Sequence, residues 1–140
     1  TRLQDSKDQT LSSIAEKAVK ETKYHLRHSS EWVVRLGDGT EESHNKIQDS
    51  LNTLYRYSHE LFFVDGVDKI LQEKGIVPEL NDIKTEYANT ITDVLEMATI
   101  SLPMNNWKFE GGRIGRHSEH MGYLLAEMQY MQRTYPNMEW

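Results

Sequence analysis

The chain has 140 residues, one domain's worth, with a formal net charge of -6. Apolar residues make up 37% and mean hydropathy is -0.71, so the composition is that of a soluble domain with a moderate core. It holds no apolar run near the roughly 20 residues of a spanning helix. The acidic balance argues against a nucleic-acid-binding face. The absence of cysteine excludes disulfide scaffolds, thiolate catalysis and Cys-ligated zinc, and fits a reducing, cytoplasmic compartment.

The opening TRLQDSKDQT lacks the apolar run of a signal peptide. It reads as the tail of an earlier helix and a polar turn at Asp5–Asp8, so we expect further helices upstream. The next stretch, residues 14–39, organises the rest. Residues three and four apart share a helix face. Ile14, Ala15, Ala18, Val19, Leu26, Trp32, Val33 and Leu36 then form one apolar side, with Lys17, Lys20, Arg27 and Arg35 opposite. Thr22, His25 and Ser29 point the same way as the apolar residues, and Glu21 and His28 flank them. Inward polar groups need partners. His25 is either a hydrogen-bonded core histidine or part of a metal or catalytic site. Ferritin-like di-iron bundles take Glu-x-x-His from two helices and a Glu from each of two more. Here the residue three before His25 is Thr22, and Glu21, four before, is rotated toward the stripe's edge. A hydroxyl cannot bridge two irons as a carboxylate does. The spacing therefore favours a satisfied core histidine.

Gly37 suits the left-handed position after a helix, and Asp38 or Thr40 can cap the next one. Asp38 and Glu41 have the spacing of a capping box. The second helix is predicted to run to about residue 63, with His44, Ile47, Leu51, Leu54, Ser58 and Leu61 inward. It should pack antiparallel on the first. Glu41 and His44 form a literal Glu-x-x-His, but Glu in a first helical turn is favoured by the dipole and by capping alone.

A third helix is expected over residues 67–74, closed by Gly75. Ile76-Val77-Pro78 is extended, since a residue before proline avoids the helical region. The fourth helix starts near Pro78. It buries Leu80, Ile83, Tyr87, Ile91, Val94 and Ala98, and leaves Asp82, Glu86, Asn89 and Asp93 in water. MNNWKFEGGRIG is the longest irregular stretch. Its Trp107 and Phe109 can cover the chain's own core or meet a partner, and Gly111-Gly112 allow close backbone approach. A last helix should run from 114 or 117 to 133, with Leu124, Leu125, Met128 and Met131 apolar. His117 and His120 would share one face of it, a spacing that can hold a divalent metal, but no third ligand is identifiable. Met121, Met128 and Met131 make an adaptable stripe. Trp140 can dock on another chain or fray.

Two runs carry a resemblance. KETKYHLRHSSEWVVRLGDGTEESHNKIQDSLNTLYRYSHELF and HSEHMGYLLAEMQYMQRTYPNMEW resemble the C-subunit (PaaC) family of the bacterial phenylacetyl-CoA epoxidase, or phenylacetate-CoA oxygenase, complex. The resemblance implies an all-α, ferritin-like helical bundle, with roughly a hundred further residues upstream completing it. It implies a role in aerobic phenylacetate breakdown. Oxygen and NADPH-derived electrons epoxidise the ring of phenylacetyl-CoA in such complexes. The di-iron lies in a different ferritin-like subunit, and the flavin and iron–sulfur groups in a reductase subunit. The C subunit is implied to be a scaffold that pairs with the catalytic one, without a metal of its own and with no catalytic residue. Glu21, Thr22, His25, His28 and Ser29 then read as remnants of a metal site or structural hydrogen-bonders. Arg113 and Arg116, beside the last helix, are candidates for the phosphates of the CoA moiety, since guanidinium suits phosphate geometry. The rival expectation is an autonomous di-iron oxidoreductase with its other ligands upstream. A third is a helical adaptor outside any enzyme. With the stripe around His25 uncovered, a homodimer is also expected.

Overall fold

The computed structural model describes residues 2–104 and 107–139. The described residues are all-α, as a ferritin-like helical bundle requires: Gln9–Gly37 (α1), Glu41–Leu54 (α2), Gly66–Glu73 (α3), Leu80–Met97 (α4), His120–Met128 (α5) and Tyr130–Thr134 (α6). Three 3-10 segments lie between and before them. The chain forms two compact units, meeting in sequence at Lys108 and Phe109.

In the first unit, the polar turn at Asp5–Asp8 starts α1 earlier than residue 14. Asp8 is the N-cap, and its carboxylate accepts from the N–H groups of Thr10 and Leu11. The segment before it is pinned to the linker after α3. Lys7 N–H donates to the Gly75 carbonyl at 3.0 Å, and Ser6 Oγ donates to the Ile76 carbonyl at 2.6 Å.

The core is small. Leu95, Ala98 and Ile100 are buried, with Val33, Val34, Ile47, Leu51 and Ile91 packed around them. It joins the C-terminal ends of α1 and α4 to α2. Gly37 sits at its tightest point, and here the left-handed expectation is corrected. Gly37 is the last helical residue of α1 and is absent from the positive-φ glycines. What requires glycine is approach. A Cβ on Gly37 would lie 2.2 Å from the Ala98 carbonyl oxygen and 2.8 Å from its Cβ.

The turn into α2 is capped by Thr40, whose hydroxyl accepts from Ser43 N–H at 3.2 Å. Asp38 instead closes α1. The second helix is shorter than its periodicity suggests. It ends at Leu54, and Tyr55–Phe62 tightens into a 3-10 segment. Ser58 Oγ bonds the Tyr55 carbonyl at 2.7 Å, so the hydroxyl competes for an acceptor that an α-helix would use four residues on. Phe62 meets the Tyr87 ring of α4 at 5.2 Å.

α3 begins with a reciprocal capping box between Asp65 and Asp68, a start signal in the sequence that the apolar count alone passes over. It ends as expected at Gly75, with φ 68°. Gly75 N–H reaches the Gln72 carbonyl and Ile76 N–H the Leu71 carbonyl, a Schellman closure. α4 ends the same way without glycine. Thr99 takes φ 56°; its N–H donates to Glu96 and that of Ile100 to Leu95. The apolar contact that accompanies this motif is the buried pair Leu95–Ile100. Gln48 of α2 then clamps the exit. Its side-chain amide donates to the Ser101 carbonyl at 2.8 Å and its oxygen accepts from Ser101 N–H at 2.9 Å.

In the second unit, Gly112–Ile114 is a 3-10 turn between Gly111 and Gly115, both at positive φ. α5 starts only at His120 and breaks from α6 at Gln129. Tyr123, Leu124 and Met128 of α5 and Met131 of α6 are exposed. Trp140 lies outside the described residues.

Candidate functional site

α1 carries the polar patch on which the functional question turns. The patch is not enclosed in this chain, contrary to the inward orientation expected from the stripe. Glu21, Thr22, His25, His28 and Ser29 are all exposed. So are apolar members of the stripe, with Ile14 at 56%, Leu26 at 53% and Trp32 at 49%. The cause is where α1 finds neighbours. Its first turns meet the 3-10 segment Arg2–Asp5, and Val33, Val34 and Gly37 meet α2 and α4. Between them no described element covers it.

Each patch residue makes a local contact. Thr22 Oγ1 donates back to the Ala18 carbonyl at 2.9 Å. Ser29 Oγ donates to the His25 carbonyl at 2.9 Å. His25 Nε2 lies 3.8 Å from Glu21 Oε1, a loose exposed pair. His28 stacks on Tyr24 at 5.8 Å and meets the edge of Trp32 at 6.4 Å. Arg27 lies over the Tyr24 ring and Arg35 over Trp32.

This donor set does not fit a di-iron centre. Among the described residues no three His, Asp or Glu side chains gather closely enough for a metal ion. The position that would supply a bridging carboxylate is the hydroxyl of Thr22, already bonded to its own helix.

Glu41 and His44 part company. Glu41 is exposed in the first turn of α2, where a carboxylate favours the helix N-terminus. His44 Nδ1 lies 2.8 Å from the Gly37 carbonyl. A carbonyl can only accept, so Nδ1 carries the proton and His44 closes the end of α1. Gly37 is thus held twice, by contact with Ala98 and by its carbonyl.

His117 and His120 are not on one helix face, which corrects the shared-face expectation. His117 precedes α5 in non-helical chain, and His120 is its first residue. The two glycines at positive φ place the turn there and delay the helix. Arg113 and Arg116 are both exposed. The Arg116 side chain lies across Gly111, where a Cβ would come within 2.9 Å of its Cδ. The close approach therefore falls at Gly111.

Trp107 falls in the first unit and lies on Arg56, whose guanidinium carbon is 4.7 Å from the ring centroid. The same guanidinium stands 5.0 Å over the Tyr57 ring. Arg56 and Gln48 carry no signal in spacing or composition, because the contacts that give them roles are far away in sequence. An open apolar groove of about 320 Å³ runs between Val33, Ile47, Leu51, Tyr87, Ile91 and Val94. No helix among the described residues is long and apolar enough to cross a membrane.

Comparison with known proteins agrees with the resemblance. The chain is 41% identical over 140 residues to the C subunit of the 1,2-phenylacetyl-CoA epoxidase of Escherichia coli (strain K12), a match covering 100% of this chain and 56% of that relative. The chain thus spans a little over half the length of the relative it matches. A family model described as Phenylacetic acid catabolic protein matches residues 1–140. With the whole chain matched, this protein belongs to the phenylacetic acid catabolic protein family.

Proposed function

We propose that the chain is part of a non-catalytic structural subunit of a phenylacetyl-CoA epoxidase in aerobic phenylacetate degradation. It pairs with and stabilises a ferritin-like subunit that holds the di-iron. The observation that carries this reading is Thr22. It stands three residues before His25, where a ligating Glu is needed, and its hydroxyl is committed to the Ala18 carbonyl at 2.9 Å. The 41% identity to a C subunit supports the same assignment. The chain's contribution is surface. Tyr24, Trp32, Arg27 and Arg35 on α1, and Leu124, Met128 and Met131 on α5 and α6, offer aromatic, guanidinium and thioether groups of the kind that dominate interfaces.

Phenylacetyl-CoA is met at most indirectly, through Arg113 and Arg116. Reversing both to Glu should weaken CoA-thioester binding by the assembled complex. Unchanged affinity removes that contact. The pairing itself is tested by co-expression with the di-iron subunit of the same system. Co-purification in fixed ratio, with a raised melting temperature for the catalytic partner, is expected. Failure to co-purify would favour the adaptor alternative.

A further inference from the structure

We draw no further inference here: the strongest candidate, the half-buried Arg56 guanidinium held between the Tyr57 and Trp107 rings just after α2, with its Nε buried and without a hydrogen-bond partner among the described residues, carries nothing because nothing in the structure shows what covers it.

Discussion

Replacing Gly37 by Ala tests how the core is built. On helix propensity alone the change should help, by up to about 1 kcal/mol, because Gly37 is helical and needs no left-handed backbone. The contact geometry predicts the opposite. The new Cβ would stand 2.2 Å from the Ala98 carbonyl oxygen and 2.8 Å from the Ala98 Cβ. Both neighbours are fixed to backbone, so neither can rotate away. Ala98 is 0% exposed, so α4 can yield only by opening the core around Leu95 and Ile100. Restoring ordinary contact needs about 1 Å of separation between α1 and α4, an overpacking cost of about 1–3 kcal/mol. With the propensity gain small at the last helical residue, a net loss of about 2 kcal/mol is expected. In a chain of 140 residues that lowers the melting temperature by roughly 6 °C. Urea unfolding followed by far-ultraviolet circular dichroism would measure it. Gly37→Ala should remain destabilising in an Ala98→Gly background, because the backbone carbonyl oxygen at 2.2 Å stays in place and only the Cβ contact at 2.8 Å is removed. A Gly37→Ala protein as stable as the parent or more stable, alone or in the Ala98→Gly background, would refute the reasoning.

Other perturbations follow from the same contacts. Thr99 holds a left-handed backbone at φ 56° with a branched side chain, so Thr99→Gly should stabilise the chain by about 1 kcal/mol, read as a rise in the urea midpoint. The Thr99 hydroxyl lies 3.4 Å from the Gly37 carbonyl, too long a bond to offset that gain. His44→Ala removes the Nδ1–H bond to the same carbonyl and should cost about 1 kcal/mol, with His44→Asn losing less. Burial, and then the charge of Tyr87, raise the Tyr55 phenol above the ordinary tyrosine value. Folding therefore favours its neutral form. That contribution is whole below about pH 10 and is lost as pH climbs through the higher folded value. Stability to urea should fall over that alkaline window, and less steeply in Tyr55→Phe.

What could be read in the sequence was what depends on near neighbours. The inner face of α4, from Ile83 through Tyr87 and Ile91 to Ala98, follows its spacing, and its acidic side stays in water, with Asp82 and Glu86 taking Arg2 as partner. That Thr22 stands three residues before His25 is read from position alone, whereas its bond to the Ala18 carbonyl is seen only in the structure. Other features needed contacts across the chain. Gly37 is demanded by Ala98, 61 residues away in number, and no local rule separates that use of glycine from a helix-ending one. The stripe of α1 is one apolar arc in sequence but two faces in space: one edge meets α2 and α4, the other lies open. Periodicity gives a face's direction and cannot give its neighbour. The last helix began late because Gly111 and Gly115 take left-handed backbones, which an apolar count does not register.

We propose that this chain holds no di-iron centre of its own. The direct measurement is iron bound after anaerobic reconstitution of the purified chain with ferrous iron and removal of the excess, beside a Thr22→Glu variant. Essentially no retained iron is predicted for the native chain. Retention approaching two irons per chain, as a two-metal carboxylate site requires, would contradict the claim and make the protein an oxidoreductase in its own right.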